Sequence, residues 1–374
     1  MVISDRLSIS AALAVDPIDS LSLGHWFKLI CGASYQDLPV VRNLALVYAL
    51  AGADCIDVAA DAAVVASVKE GLTAASNWHS RSTGQSERSA VCSPAYRRPL
   101  LMVSMSAGED PHFRKAWFDS AVCPVDCPRP CESVCPAAAI DDSGVIYDRC
   151  YGCGRCLPIC PLGLIEAKSQ PTSLNAIAQS ILSQVDALEI HTQVGHKASF
   201  AHLWETISPW IGHLQLISIS CPDGEGLIDY LRELQAFVLT SVAADAPLLI
   251  WQTDGRPMSG DIGKGTTHAT VRLAQKVLNS DLSGHIQLAG GTNEYTVLKL
   301  RELGLLKPPN GGGTPHRKVS GIAYGSFARR LLMSTIGQTH YLEEVPQALQ
   351  RAVVLAESLV RPLKCPSETD QNYL

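Results

Sequence analysis

Cysteines at short, regular spacing are the residues of this chain best suited to chemistry. Eight of the thirteen cysteines lie between Cys123 and Cys160. The second half of this block places four thiols at gaps of two, two and three residues, with a proline directly after the last, at Cys150, Cys153, Cys156 and Cys160. Three thiolates at this spacing hold three corners of a cubane, and the fourth points to a neighbouring cluster. The spacing therefore predicts a [4Fe-4S] site.

The first half of the block repeats the pattern with wider gaps. Its four cysteines are separated by three residues each, and the last again precedes a proline. Two such halves resemble a two-cluster ferredoxin. The resemblance implies two [4Fe-4S] clusters as cofactors. One would be held by Cys123, Cys127, Cys131 and Cys160, and the other by Cys135, Cys150, Cys153 and Cys156.

Two alternatives stay open for the cysteine block. Zinc also binds four thiolates tetrahedrally, although zinc ribbons place cysteine pairs on separated knuckles and do not call for two Cys-Pro steps. Clusters could also be structural and carry no electrons, because ligation says nothing about turnover. The other five cysteines, of which Cys221 at a strand end is the one worth testing, are interpreted as packing residues.

Composition places the chain among folded globular proteins. It has 374 residues, 47% hydrophobic and 18% charged, and a formal charge of -6, which argues against a basic nucleic-acid binder. The first 20 residues do not have the pattern expected of a secretory signal, and the longest uncharged apolar run, 44–53, is too short for a membrane span. We expect a cytoplasmic protein, in a reducing compartment where clustered thiols bind metal.

The rest of the chain alternates apolar strands with helical periodicity, as parallel βα units do. Eight strands are predicted over 25–31, 55–59, 100–105, 187–191, 214–220, 248–252, 285–288 and 319–324. The count predicts an α/β fold, a TIM-like (β/α)8 barrel with a two-[4Fe-4S] ferredoxin-like α+β unit inserted after the third strand. An open doubly wound α/β sheet is the alternative.

This interpretation divides the chain into three parts. Residues 1–118 would form the first three βα units with a surface insert over 77–98, residues 119–168 the ferredoxin-like domain, and residues 169–374 the remaining units. A C-terminal helix is predicted over 341–360, with an apolar face and a stop at Pro362.

In a barrel, ligands meet the loops after the strands, and phosphates often bind after strands seven and eight. These loops are rich in glycine, and with the loop after strand six they supply a candidate anion site of Lys264, Gly290, Gly291, Thr292, Gly325 and Ser326. Near Lys264 a simpler interpretation is favoured, in which Thr266 or Thr267 is a helix N-cap. A small-molecule ligand bound by these loops could be a quinone, a phosphate or a flavin.

Charged residues in or near the predicted strands are weaker candidates. Lys28 lies inside the first strand, Asp57 and Asp61 flank the end of the second, and His191 ends the fourth. Each could face the barrel mouth or form a structural ion pair. They do not compose an acid, base and nucleophile set for one reaction, so no catalytic residue is assigned. A dinucleotide fingerprint is also missing from the sequence.

Three segments outside the cysteine block carry a family resemblance: HWFKLICGAS from His25, AGADCIDVAAD from Ala51 and HIQLAGGTNEYTVLKL from His285. With the block, they resemble the light-dependent period family of cyanobacteria and plants. The resemblance implies an iron-sulfur redox sensor, not an enzyme, that passes photosynthetic redox state to the circadian clock by associating with clock components. It also implies that the eight clustered cysteines bind the clusters. The insert over 77–98 departs from the family.

Two functions are therefore weighed. The preferred one is a redox sensor that binds clock-associated or other redox-signalling proteins and neither nucleic acid nor membrane. Residues 119–168 hold seven acidic and four basic side chains, which suits a basic protein partner. The rival is an oxidoreductase that delivers electrons to a phosphate-bearing substrate or flavin at the barrel mouth, because the insertion point puts clusters near that face.

Overall fold

The structure is a computed structural model. It describes residues 15–84, 96–169, 174–241, 247–256, 263, 265–307, 317–337 and 339–365. Twelve strands and twelve α-helices are numbered below in chain order within these residues.

Eight parallel strands close into a barrel, which confirms the predicted fold class. They are β1 (Trp26–Gly32), β2 (Cys55–Ala59), β3 (Leu100–Ser106), β8 (Ala187–His191), β9 (Leu216–Pro222), β10 (Leu248–Asp254), β11 (His285–Ala289) and β12 (Gly321–Tyr324). Strand β1 pairs in parallel with both β2 and β12, so the sheet has no edge and the open-sheet alternative is wrong.

Helices surround the barrel and bury their apolar faces on it. They are α1 (Pro17–Leu23), α2 (Leu38–Leu50), α3 (Ala62–Gly84), α6 (Leu174–Ile181), α7 (Lys197–Ile207), α8 (Leu227–Ser241), α9 (Thr266–Leu278), α10 (Thr296–Glu302), α11 (Ser326–Ile336) and α12 (Pro346–Lys364). Helices α2 and α3 pack so closely that a Cβ at Gly71 would lie 2.4 Å from the Arg42 carbonyl oxygen. Glycine is required there.

The first part of the surface insert predicted over 77–98 is helical. Helix α3 continues to Gly84, because the polar residues after Asn77 remain compatible with helical geometry. Residues 85–95 lie outside the described residues, and the chain re-enters the barrel through Tyr96, whose hydroxyl donates to the Leu72 carbonyl at 3.2 Å.

The inserted unit follows β3, as predicted. Strand β4 (Arg114–Trp117) pairs antiparallel with β7 (Glu166–Ser169), which brings the entry and the exit of the unit side by side. Between them lie the hairpin β5 (Ile140–Asp141) and β6 (Gly144–Val145) and the short helices α4 (Pro130–Ser133) and α5 (Cys156–Ile159). The exact boundaries of the three proposed domains stay a prediction.

Helix α12 does not end at Pro362. It begins at Pro346, after a 3-10 turn, and continues to Lys364. The helix passes the proline because Lys364 is anchored beyond it: its buried ammonium lies 2.6 Å from the Asp54 carboxylate, at the base of β2. None of the helices in the described residues is both long enough and apolar enough to cross a membrane.

Alternate side chains of the barrel strands point inward and form layers. The layer at the N-terminal end of the strands is apolar and includes Trp26, Cys55, Leu100, Met102, Ala187, Leu216 and Ile250. Above it the interior turns polar, with Lys28, Asp57, Glu189 and Gln252 all buried. Because buried charges are costly, this polar upper half marks the C-terminal mouth as the part of the barrel that serves function.

Candidate iron-sulfur and barrel-mouth sites

The inserted unit brings its cysteine thiols close together, and the first of the two predicted groups of four is Cys123, Cys127, Cys131 and Cys160. In the first group, partial desolvation and then the neighbouring Cys127 thiol raise the pKa of Cys123, with a further contribution from Cys160. Burial raises the pKa of Cys131, and the Cys160 thiol raises it further. Hydrogen bonds from backbone amides oppose this change only in part. Cys160 thus joins the first motif across the repeat, although it lies at the end of the second motif.

The second group is Cys135, Cys150, Cys153 and Cys156. Burial raises the pKa of Cys156 to about 12, and the next largest influences are the other three thiols of the group. All four line one small cavity. Its other walls are mainly small or apolar residues, namely Ala116, Ala137, Ala139, Ile140, Leu157 and Ala167. A cavity with four thiols and few competing ligands fits a [4Fe-4S] cluster.

Backbone amides point at the sulfur atoms in both groups. The amide nitrogen of Ala139 lies 3.2 Å from the Cys135 sulfur, and that of Leu164 lies 3.4 Å from the Cys160 sulfur. At Cys160 burial is outweighed by four such amides, so its pKa is lowered. Amide donors stabilise thiolates, and in iron-sulfur proteins they are among the factors that set the reduction potential.

The cysteine unit docks on the loop that follows β1. The Gln36 amide donates to the Asp148 carbonyl at 3.0 Å, and the buried Lys115 ammonium donates to the Gln36 side chain and the Tyr147 carbonyl at 2.8 Å each. The rings of Tyr35 and Tyr151 meet edge to face at 5.8 Å. These contacts fix the segment that carries Cys150 and Cys153 over the barrel mouth.

A cavity of about 130 Å³ lies at this mouth. Five of the six residues predicted for an anion site line it, namely Gly290, Gly291, Thr292, Gly325 and Ser326, whereas Lys264 lies outside the described residues. Tyr151 and Cys153 line both this cavity and the cavity of the second thiol group. A cluster held by that group would therefore adjoin any ligand at the mouth.

A chain of alternating charges crosses the barrel below this cavity. The buried Lys28 ammonium contacts Glu189, whose other carboxylate oxygen lies 3.0 Å from Nε2 of His191. Nδ1 of His191 faces Asp110 at 3.3 Å, and Asp110 also binds His112 at 2.7 Å. The chain thus connects the barrel interior to the loop that leads into the cysteine unit.

Asp110, His112 and His191 are close enough together to suggest a metal site. However, both ring nitrogens of His191 face carboxylates, and although burial opposes the charge, Asp110 and Glu189 raise the pKa of His191 well above its usual 6.5. Burial likewise opposes the charge of Glu189, but Lys28 and His191 lower its pKa to about 2. A protonated imidazole offers no lone pair to a metal, so we interpret the trio as an ion-pair network.

Two further carboxylates lie in the polar interior. Asp57 accepts a hydrogen bond from Ser104 at 2.7 Å and lies 3.8 Å from the Lys28 ammonium. Burial raises the pKa of Asp57 to about 7. The Lys28 ammonium opposes this change only in part, because it lies nearer to Glu189. Asp254, at the end of β10, contacts the Ser220 hydroxyl and lines the mouth cavity, and burial raises its pKa.

The sequence analysis singled out Lys28, Asp57 and His191 separately. The structure places all three in the polar interior of the barrel. Sequence reasoning missed Glu189 and Asp254. Both occupy inward positions of predicted strands or their ends, and an acidic residue at such a position is the signal that could have found them.

Three weaker candidates have structural roles. Asp61 caps helix α3 by accepting from the amides of Ala63 and Val64 at 2.9 and 3.0 Å. Burial raises the pKa of Cys221 to about 12, so this thiol is not activated. Neither Thr266 nor Thr267 is an N-cap, because helix α9 begins at Thr266 behind Gly265 and the Thr266 hydroxyl instead donates to the carbonyls of Gly263 and Gly291.

Comparison with known proteins decides the family. Residues 123–171 match the LdpA Fe-S cluster-binding domain, and residues 181–362 match the light dependent period A C-terminal domain. The protein "Light dependent period A" of Synechococcus elongatus (strain ATCC 33912 / PCC 7942 / FACHB-805) is 55% identical over 353 residues, which cover 93% of this chain and 94% of that protein. The chain belongs to the light dependent period A family. Its cysteine block is accordingly the family's iron-sulfur cluster-binding domain.

A second relative matches only part of the chain. It is a probable iron-sulfur protein of the Frd operon of Proteus vulgaris, and it is 25% identical over 120 residues, which cover 31% of this chain and 73% of that protein. Like the light dependent period A match, it points to an iron-sulfur protein. In this chain the cluster-binding domain is combined with the barrel that supplies the mouth cavity.

Proposed function

We propose that this protein is a cytoplasmic redox sensor that relays photosynthetic redox state to the circadian clock through redox-dependent binding of clock-associated proteins. Two [4Fe-4S] clusters, held by the two thiol groups described above, would supply the reversible uptake of one electron each. The name of the Synechococcus elongatus relative, which refers to a light-dependent period, supports this direction.

One observation carries the proposal: the first thiol group, in which only Cys131 is buried, lies close to the surface and is bordered by exposed apolar side chains. Val122 and Val125 flank Cys123, and Ile159 and Leu162 flank Cys160, and all four side chains are exposed. Exposed apolar patches of this kind mark protein interaction sites. The excess of acidic residues in the same unit favours a partner with a basic surface.

The mechanism follows from electrostatics. A cluster held by the first thiol group would carry one more negative charge when reduced, and this charge on the docking face would alter the affinity for a charged partner. The amide donors at Cys160 limit how far the added charge destabilises the site. A protein of this design signals by binding and needs no substrate.

The test is to hold the purified holoprotein oxidised or reduced under anaerobic conditions and to quantify the proteins it captures from cyanobacterial extract. We expect captured clock-associated proteins to differ at least tenfold between the two states, and the difference to vanish in Val125→Glu and Leu162→Glu. Leu239→Glu, at an equally exposed leucine on α8, is the matched control. Identical capture in both redox states would contradict the sensor proposal.

The oxidoreductase hypothesis is retained as a second candidate because of one observation. Tyr151 and Cys153 line both the mouth cavity and the cavity of the second thiol group, so electrons could pass from a cluster held there to a ligand bound at the mouth. In that case the reduced protein should be reoxidised at a rate that rises with the concentration of one metabolite or flavin. Reoxidation that no candidate accelerates would remove this hypothesis.

A further inference from the structure

Within the described residues, the barrel mouth contains a cationic group without an anionic partner. The Arg329 side chain, on helix α11, is only 6% exposed and lines the mouth cavity. Its guanidinium donates to the carbonyl oxygens of Ile30 and Cys31 at 2.7 and 2.9 Å and to the Ser326 hydroxyl at 3.2 Å, whereas its Nε has no partner in the described structure. A buried charge that is balanced only by neutral groups is costly.

Helix α11 adds a second source of positive potential at the same place. The helix is 11 residues long and begins at Ser326, and Gly325 caps it without a side-chain hydrogen bond. Its first amides therefore remain available on the side of the cavity that Gly325 and Ser326 line. An N-terminus with free amides favours an anion.

The loop after β11 forms the adjacent wall. Gly290 and Gly291 have φ values of +65° and +104°, and a Cβ on either would lie within 3 Å of a carbonyl oxygen, that of Arg256 for Gly290 and that of Thr266 for Gly291. Within the described part of the chain, no acceptor takes the amide hydrogens of Gly290, Gly291 or Thr292. The loop is thus tightly fixed while these donors stay unused.

The opposite side of the cavity is acidic. Asp57, Glu189 and Asp254 line it, together with Ser104 and Gln252. These carboxylates would repel an anionic group that entered this side of the cavity, but they would accept hydrogen bonds from the hydroxyl groups of a ligand. The unused donors therefore lie on the side of β11 and β12, and the carboxylates, together with the imidazoles of His112 and His191, lie on the opposite side of the cavity.

We propose that the barrel mouth binds a small organic phosphate that carries hydroxyl groups, with the phosphate on Arg329, Ser326 and the amides of Gly290 and Gly291 and the hydroxyl groups toward Asp57 and Asp254. This inference goes beyond the redox-sensing proposal and does not depend on it, since the pocket is built by barrel residues. Volume supports a small ligand, because the cavity measures about 130 Å³.

Calorimetric titration of the dialysed, anaerobically prepared holoprotein tests the proposal. The probes are inorganic phosphate and ribose 5-phosphate, with ribose as the phosphate-free comparison. We expect ribose 5-phosphate to bind at one site, inorganic phosphate to compete with it, and ribose to bind at least tenfold more weakly. Absence of saturable binding by ribose 5-phosphate and by inorganic phosphate would overturn the proposal.

Paired variants on one helix locate the site. Ser326→Asp and Arg329→Gln should each weaken ribose 5-phosphate binding at least tenfold, whereas Ser334→Asp and Arg330→Gln, at exposed positions of α11, should not. Iron content and thermal unfolding are measured for all four variants, and Ser326→Asp carries the test if Arg329→Gln loses iron. If Arg329 serves only to balance a cluster, Ser326→Asp will leave binding unchanged, and that result would also overturn the proposal.

Discussion

At the scale of single residues, the eight clustered thiols and a few buried charged side chains carry the chemistry of this chain. The eight clustered cysteines could be identified because ligand spacing along the chain is itself the signal. Glu189 could not be identified in this way, because its importance arises from Lys28 and His191, which come from distant strands. Lys364 was missed for the same reason, since its partner Asp54 lies about three hundred residues earlier.

Replacing Cys153, which lines both cavities, tests the assignment of the second thiol group. Cys153→Ser should reduce bound iron from about eight to about four atoms per chain, because four thiolates are needed for each cubane. The first group should keep its cluster. Iron analysis with the visible absorption spectrum measures this, and Cys221→Ser, a buried thiol in the barrel, is the control. Unchanged iron in Cys153→Ser would disprove the assignment.

The buried Asp57 carboxyl should make stability depend on pH. Because burial raises its pKa to about 7, the folded protein holds a proton that the unfolded chain releases above about pH 4. Ionisation therefore costs stability increasingly as pH rises from 4 to 7, and the cost is constant above that range. Asp57→Asn removes this cost, so its unfolding free energy should exceed that of the wild type by about 1–3 kcal/mol at pH 8 and by less at pH 6. Denaturant unfolding at both pH values measures the difference, and an equal difference at pH 6 and 8 would contradict this view.

At the scale of elements, the eight strands and most helices follow from periodicity, because burial on a barrel dictates where apolar residues recur. The predictions failed where tertiary contacts outweigh a local signal. Pro362 normally interrupts a helix, yet α12 continues past it to Lys364. Helix α3 likewise continues through polar residues that suggested a loop.

The contribution of the Lys364–Asp54 ion pair at the end of α12 can be tested by substitution. Lys364→Met should destabilise the protein by about 3 kcal/mol, because it leaves the buried Asp54 carboxylate without its cation. Arg361→Met breaks only a half-exposed pair with Glu357 and should cost less than about 1 kcal/mol. Thermal and denaturant unfolding measure both variants. Equal losses for the two would show that α12 is not held by Lys364.

At the scale of the whole molecule, the insertion point matters most. Placing the cysteine unit after β3 and docking it on the loop after β1 sets one thiol group over the barrel mouth and leaves the other at the surface. The insertion point followed from strand count, but the docking contacts did not, because Gln36, Lys115 and Tyr151 carry no pattern that links them along the chain. The fold thus offers an outward site for a partner and an inward site for a ligand.

The mouth cavity and the second thiol group should be coupled. A phosphate bound at the mouth would lie beside Cys153, so its negative charge should disfavour reduction of the adjoining cluster. By linkage, reduction should weaken phosphate binding by the same factor. Calorimetry with ribose 5-phosphate on oxidised and reduced holoprotein measures this factor, for which we expect about three- to tenfold at low ionic strength. Tighter binding by the reduced protein would contradict the arrangement.

If this chain carries two redox-active [4Fe-4S] clusters, its iron content and its redox behaviour must both show them. Anaerobically purified protein is analysed for iron and sulfide and then titrated potentiometrically while EPR spectra are recorded. We predict about eight irons and about eight sulfides per chain and two reversible one-electron transitions. Zinc in place of iron, or about four irons with a single transition, would contradict this prediction.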